Sequence, residues 1–225
     1  MKVTWLGHAG FIIKDKDKTI MIDPWFKDNP VAPDREIIPE KIDAVFVTHD
    51  HGDHGYADAI KICKETGATF VSIFELANKA KKDGVKNTLG GNIGGTANID
   101  DLEFVFTVAH HSANVGRPIG FIIKLPTMTI YHAGDTGLFM DMELLGELYD
   151  PDLAFLPIGS HFTMGPKEAA KALQLLKVQK VIPMHYKTFP VLIQDTKEFE
   201  EATGPMIDVI TMEPGEEKEI EKKKT

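Results

Sequence analysis

The sequence predicts an α/β fold in which two sheets pack face to face with helices on their outer surfaces. Short apolar strand candidates come first in each part of the chain, and alternating strands and helices follow them. A chain of 225 residues that is 43% hydrophobic is long enough to bury a large interior. We therefore expect one domain that spans residues 1–225.

The first part of the chain begins with a predicted β-meander. Its strand candidates are KVTWL, GFIIK and TIMIDP, with a polar turn at 15–18. Residues 29–40 are rich in proline and charge, which predicts an irregular surface loop. Four elements then follow in the order strand, helix, strand, helix, at 42–47, 56–66, 68–72 and 74–83.

The second part follows a glycine-rich segment, 90–95, which predicts a turn. Strand candidates come first and lie at 102–108, 120–125 and 128–132. Helices are predicted at 140–148, 166–176 and 195–202. The remaining strands are predicted at 153–156, 180–183, 207–211 and 216–220.

Composition excludes several classes of protein. The 34 acidic side chains outnumber the 25 basic ones, and a net charge of −9 argues against a broad nucleic-acid surface. Cys63 is the only cysteine, so no disulfide framework can form. No segment has the roughly 20 apolar residues of a membrane span, and the first residues lack a signal-peptide pattern. We expect a cytoplasmic protein that does not bind membranes.

The nine histidines are concentrated after apolar segments, and the densest group is the run Thr48-His-Asp-His-Gly-Asp-His54. Residues two apart in an extended segment face the same way, and the turn at Gly52 can direct the next pair to an adjacent point. One loop can therefore supply ligands to two metal ions. Imidazole and carboxylate donors suit zinc and related divalent ions, with manganese, nickel and iron as alternatives to zinc.

This run resembles the signature of the metallo-β-lactamase superfamily, and the resemblance continues through VAHHS, YHAGDT and PMHY in the family's order. It covers nearly the whole chain. The segments GHAGF, TIMIDPWF, YHAGDTGLF, LAFLPIGSHFTMGP and VIPMHYKTFP look like one branch of it. That branch contains uncharacterised metal-dependent hydrolases related to the ascorbate-6-phosphate lactonase-like group.

The resemblance implies a four-layer αββα sandwich that holds two divalent metal ions. It assigns one ion to His49, His51 and His111 and the other to Asp53, His54 and His185, with Asp135 as the bridge. A water or hydroxide would complete the bridge and attack a small ester-type substrate such as a phosphodiester, a phosphorylated lactone or a related ester. Asp53 and Asp135 would therefore take part in catalysis as well as in metal binding.

Other residues near these motifs are candidates for supporting roles. His161 precedes a predicted helix and suits a general acid or a phosphate contact, although an exposed loop histidine explains it equally well. Asp23 suits a carboxylate that orients a ligand imidazole, and His132 is a further candidate for that role. His8 is a candidate for substrate binding or for support of the ligands, or a plain turn residue. The family pattern favours His111 as the ligand, so His110 would be an outward-facing residue, a residue that supports the ligands, or a substrate contact.

Three other functions fit parts of the sequence. A β-lactamase shares the family name only, and a fold does not determine a substrate. An RNA-processing phosphodiesterase would use the same ligands, but the acidic charge opposes RNA binding. A non-catalytic metal-binding protein would have lost ligands, and this chain lacks none. We expect a small-molecule substrate and leave a homo-oligomer open.

Overall fold

The computed structural model describes residues 1–222, and the elements below refer to that part of the chain. The strands are β1 (Lys2–Trp5), β2 (Phe11–Asp15), β3 (Lys18–Ile22), β4 (Ala44–Phe46), β5 (Thr69–Ile73), β6 (Thr88–Gly91), β7 (Thr96–Ile99), β8 (Leu102–Val108), β9 (Ile119–Lys124), β10 (Thr129–His132), β11 (Leu153–Pro157), β12 (Lys180–Met184), β13 (Asp208–Val209) and β14 (Glu217–Glu219). The helices are α1 (Tyr56–Thr66), α2 (Phe74–Lys82), α3 (Met142–Tyr149), α4 (Pro166–Leu176) and α5 (Lys197–Thr203). The predicted domain continues to residue 225, and residues 223–225 lie outside the described part.

The strands form two mixed sheets with the same internal plan. The order is β14-β1-β2-β3-β4-β5-β6 in the first sheet and β13-β12-β11-β10-β9-β8-β7 in the second. In each sheet the strands that come first in the sequence pair antiparallel, and β3 to β6 and β10 to β13 pair parallel. Antiparallel neighbours need only tight turns, whereas parallel neighbours need a crossover, and α1 and α4 supply such crossovers.

The two sheets meet face to face across an aromatic layer. The Phe46 ring in β4 lies 5.0 Å from the rings of both Phe104 in β8 and Phe121 in β9, edge on in each case. All three side chains are fully buried. Helices α1 and α2 pack on the first sheet and α4 packs on the second. The predicted α/β sandwich with outer helices is therefore confirmed.

The predicted elements correspond closely to those observed, with one difference at 88–99. The sequence predicts a turn at 90–95, but Gly90 and Gly91 end the edge strand β6, and β7 begins at Thr96. A Cβ atom on Gly91 would overlap the Phe106 ring, so this glycine permits close packing of a strand rather than a turn. Glycine, alanine and asparagine have low strand propensity, so the sequence did not predict the edge strands β6 and β7.

None of the helices in residues 1–222 combines the length and the apolar character that crossing a bilayer requires.

Replacement of Phe46 by alanine should lower the free energy of unfolding by about 3–5 kcal/mol, because it leaves a cavity between the two sheets. Phe74→Ala is the matched control, since the Phe74 side chain is 57% exposed and its loss should change stability by less than about 0.5 kcal/mol. Urea denaturation of both variants measures the difference. Equal losses of stability would contradict the packing described above.

Candidate metal centre

The topology of the first sheet brings three loops to one edge. Strands β1, β3 and β4 run in the same direction, because two antiparallel pairings separate β1 from β3 and a parallel pairing joins β3 to β4. Their carboxyl ends are followed by His8, Asp23 and the 48–54 loop. Such an edge is where α/β sheets place their sites.

The second sheet contributes its loops at the same place. Strands β8, β10, β11 and β12 share one direction and are followed by His111, Asp135, the 158–165 loop and His185. Two backbone hydrogen bonds join the sheets here. The His185 amide donates to the His8 carbonyl at 3.0 Å, and the Ile119 amide donates to the Thr48 carbonyl at 3.1 Å.

Three histidines form the first donor group, which consists of His49, His51 and His111. One ring nitrogen from each lies within 4.8 Å of the other two. The His49 Nε2 and His51 Nδ1 atoms are 3.0 Å apart, and the His111 ring lies edge on to both rings at 5.1–5.2 Å. Two donors on one zinc ion with bonds of ~2.1 Å are ~3.4 Å apart, so this spacing suits a shared cation.

Four side chains form the second donor group, which consists of His8, Asp53, His54 and His185. One donor atom from each lies within 4.8 Å of the others. His8 and His185, which lie far apart in the sequence, have ring centroids only 3.9 Å apart. Asp53 is the most accessible member, with 26% of its side chain exposed.

The Asp135 carboxylate lies between the two donor groups. Its Oδ2 atom is 3.0 Å from His185 Nε2, 3.5 Å from His111 Nε2 and 4.0 Å from His49 Nε2. Its Oδ1 atom is 3.2 Å from His54 Nε2. Because Asp135 faces members of both groups, it has the position that a bridging ligand requires.

Several of the donor atoms are buried without hydrogen-bond partners in the part of the chain that the structure describes, and a bound cation would satisfy them. His8 Nε2, His54 Nε2 and Asp135 Oδ1 are buried and have no hydrogen-bond partner of acceptable geometry among the described residues. Each nevertheless lies 3.2 Å from an atom of another group member. Buried polar atoms without partners are costly, and a cation shared by these atoms would satisfy them.

Asp23 and Thr48 hold two imidazoles of the donor groups in position. Asp23 Oδ1 accepts from the Thr48 amide at 2.8 Å, and Oδ2 accepts from Thr48 Oγ1 at 2.6 Å and from His54 Nδ1 at 2.7 Å. Thr48 Oγ1 also lies 3.0 Å from His49 Nδ1. These contacts place protons on the Nδ1 atoms and leave the Nε2 atoms of His49 and His54 facing the donor groups.

Three of these positions have an unusual backbone conformation. His8, Asp23 and His185 have φ values of +55°, +43° and +56°, in the left-handed region that residues other than glycine rarely occupy. A Cβ atom on Gly159 would overlap the His185 carbonyl, so the neighbouring loop must carry glycine there. Backbone strain of this kind concentrates at functional sites.

Electrostatics separate the histidines into two kinds. Burial is the main cause that holds the pKa of His49 well below its usual value, and the charge of His54 is the second cause. Burial also lowers the pKa of His111. Burial would lower the pKa of His54 too, but Asp135 and Asp23 raise it well above its usual value. His49 and His111 are therefore neutral at pH 7, the form that binds metals, and an ion at His54 would displace a proton.

His110 and His161 lie outside both donor groups. The His110 ring is exposed and packs edge on to Phe139 at 5.1 Å, so the structure brings His111, and not His110, to Asp135. His161 is exposed and its ring packs on Phe162 at 4.5 Å. Its predicted role as a general acid or phosphate contact stays a prediction, since this contact also suits a plain loop residue.

His132 does not orient a ligand, which corrects the expectation from the sequence. It is fully buried, and its Nε2 atom lies 3.1 Å from the Ala9 carbonyl while its Nδ1 atom accepts from the Gly134 amide at 3.2 Å. Both ring nitrogens are thus used by the backbone, and none is left for an imidazole of the donor groups. His132 links β10 to the turn after β1.

Sequence reasoning did not single out Thr188 or Arg117. Thr188 Oγ1 is 3.0 Å from His8 Nδ1, and its only sequence signal is its place three residues after His185. Arg117 lines a cavity of about 490 Å³ beside His111. Its signal is that the chain contains only two arginines.

Comparison with known proteins identifies the family of this chain. Residues 2–185 match the family described as the Beta-lactamase superfamily domain. The chain belongs to that superfamily. Within the superfamily it belongs with the UPF0173 metal-dependent hydrolases. It is 48% identical over 223 residues to one from Korarchaeum cryptofilum, covering 98% of this chain and 100% of that protein. It is 51% identical over 217 residues to one from Caldivirga maquilingensis, covering 94% and 95%.

Solved structures of the metallo-β-lactamase fold resemble this member of the superfamily. A metallo hydrolase from the hyperthermophilic archaeon Ignicoccus hospitalis, Igni18, superposes with a TM-score of 0.89 at 41% identity, covering 98% of this chain and 99% of that one. An isothiocyanate hydrolase from Delia radicum gut bacteria has a TM-score of 0.75 at 18% identity, covering 99% and 100%. The second likeness shows the fold alone.

Replacement of Asp23 by asparagine should weaken zinc binding by about 10–100-fold. The NH₂ group of asparagine would face the Thr48 amide, the Thr48 hydroxyl or His54 Nδ1, each of which is already a hydrogen-bond donor. Asp15→Asn is the matched control, since Asp15 is equally buried and accepts from the Thr127 amide and hydroxyl in the same pattern, away from the donor groups. Competition with a chromophoric chelator measures affinity. A similar loss in both variants would refute the orienting role.

Proposed function

We propose that this protein is a hydrolase that uses two divalent metal ions to cleave a small ester-type substrate. The observation that carries the proposal is the pair of donor groups joined by Asp135, which between them present every ligand that the superfamily resemblance assigns. The nitrogen-rich donor set favours zinc, with manganese, nickel and iron as alternatives. The names of the relatives in Korarchaeum and Caldivirga agree with a metal-dependent hydrolase.

The residues themselves would divide the work as follows. When bound, two divalent ions supply an activated water and neutralise charge that develops on the substrate oxygen. His49, His51 and His111 would hold one ion, and Asp53, His54 and His185 the other. Asp135, buried between the two donor groups, would be the ligand that both ions share. Asp53 is partly exposed, so its carboxylate can also orient a water molecule at the entrance of the site.

The cavity beside His111 favours an anionic substrate. Arg117 lines it together with His110, and no ion pair or hydrogen bond engages the Arg117 side chain within the described residues. The other arginine, Arg35, is paired with Asp58 at 2.6 Å. An unpaired guanidinium is suited to bind a carboxylate or a phosphate in a bidentate manner. Phosphorylated lactones and related esters, whose phosphate or carboxylate is separate from the bond to be cleaved, therefore fit this site.

Metal removal should abolish hydrolysis because it removes the ions that activate the water, and Asp135→Ala should abolish it because it removes the carboxylate that both ions would share. The assay uses zinc-loaded and manganese-loaded protein with bis-p-nitrophenyl phosphate, simple lactones and thioesters. Chelator should also lower the melting temperature of the native protein. Absence of hydrolysis of all three substrate types, or activity that survives Asp135→Ala, would reject the proposal.

Arg117→Gln should raise KM for an anionic ester at least about 10-fold and change kcat less, because the guanidinium contacts a part of the substrate that does not react. KM for a neutral ester should stay the same. Lys124→Gln removes an equal charge at the end of β9, at the opposite edge of the sheet, and should leave both values unchanged. An equal effect of Arg117→Gln on both esters would refute anion recognition.

A further inference from the structure

His8 occupies a position that the surrounding structure determines in detail. Its backbone carbonyl accepts hydrogen bonds from the Trp5 indole and from the His185 amide, both at 3.0 Å. Its ring is fully buried and packs at 3.9 Å from the His185 ring and at 5.4 Å from the Trp25 ring. Neither the backbone nor the ring can be displaced without disturbing the second donor group.

The hydrogen bonds of Thr188 determine which ring nitrogen of His8 carries the proton. Thr188 Oγ1 donates its single proton to the Tyr186 carbonyl at 3.2 Å. Thr188 Oγ1 can then only accept from His8 Nδ1, which lies 3.0 Å away. A neutral His8 therefore has its proton on Nδ1 and a free lone pair on Nε2.

That lone pair faces a carboxylate oxygen. His8 Nε2 is 3.2 Å from Asp53 Oδ2, and the geometry at this nitrogen does not make a hydrogen bond. Two electron pairs that face each other in a buried space repel, whereas a cation bound to both would attract both. The distance is close to the ~3.4 Å that separates two ligands of one zinc ion.

His54 shows the same arrangement and supports this interpretation. Its Nδ1 atom is held by Asp23 at 2.7 Å, and its Nε2 atom lies 3.2 Å from Asp135 Oδ1 without a hydrogen bond. In both histidines an oxygen atom fixes the proton on Nδ1, and Nε2 faces a carboxylate. This is the arrangement of a metal ligand with an orienting partner.

We infer that His8 is a direct ligand of the second metal ion, with Thr188 as the residue that orients it. The inference rests on the two-ion site of the proposed function and adds an eighth side chain to it. The second ion then has His8, Asp53, His54 and His185 in addition to Asp135, whereas the first has three histidines and Asp135. The first ion would then have fewer protein ligands, which would leave its side of the site more open to a substrate.

Cobalt titration of the full chain tests this inference without reference to activity, because the visible spectrum of Co²⁺ reports the number of its ligands. His8→Asn is the main variant, since asparagine tolerates the left-handed backbone but is too short to reach the ion. This variant should lower the affinity for one of the two Co²⁺ ions at least about 10-fold and alter the visible spectrum of that ion. His110→Asn, the same change at an exposed histidine beside a ligand, should alter neither.

Thr188→Val is a second variant that tests the same inference if His8→Asn does not fold. Thr188→Val keeps the His8 ring and removes only the oxygen atom that fixes the proton of that ring. It should therefore lower the affinity for the same Co²⁺ ion by about 10-fold or more. Circular dichroism of the metal-free variants confirms folding. Unchanged affinities and spectrum in both variants would overturn the assignment of His8 while leaving the proposed function intact. Uptake of fewer than two Co²⁺ ions by the native chain would instead reject the two-ion site itself.

Discussion

Burial of the Asp135 carboxylate is the constraint on which the rest of the site depends. A charged carboxylate inside a protein is costly unless cations or hydrogen-bond donors surround it. Histidines from both donor groups, and not a lysine or an arginine, surround Asp135. Imidazoles can either carry protons or bind ions, so this environment can exchange protons for metal without rearrangement.

The two sheets bring these histidines to Asp135 because both have the same order of antiparallel and parallel strands. In each sheet an antiparallel part precedes a parallel part, so the strands that carry functional loops end at one edge. Hydrogen bonds from Ile119 to Thr48 and from His185 to His8 then fix one edge against the other. The ions would lie between the sheets, and small changes in how the sheets pack would change the distance between the donor groups.

Much of this could be predicted from the sequence. The period of apolar residues gave most strands and helices within two residues, and the run Thr48 to His54 identified the central loop. The edge strands β6 and β7 were not predicted, and in β6 the reason is that Gly91 packs against the Phe106 ring, which no local pattern reveals. His132 looked like its neighbours in the motif, yet its partners are the backbone atoms of Ala9 and Gly134.

The position of His8 was the hardest to interpret from sequence, for a physical reason. Its decisive partner, Thr188, is 180 residues away, and only folding brings the two together. Local patterns show that a histidine ends a strand, but they do not show which of its nitrogens is protonated. Hydrogen bonds to distant residues determine that property, and with it the difference between a turn residue and a metal ligand.

The pairing of β14 with β1 has a consequence for the order of assembly during protein synthesis. Lys2 in β1 pairs with Glu219 in β14, so the outer edge of β1 stays uncovered until a strand far along the chain has been made. Pairing across so long a separation is slow, and β1 leads directly to His8. During synthesis the His8 loop would therefore lie next to an uncovered strand until β14 has been made.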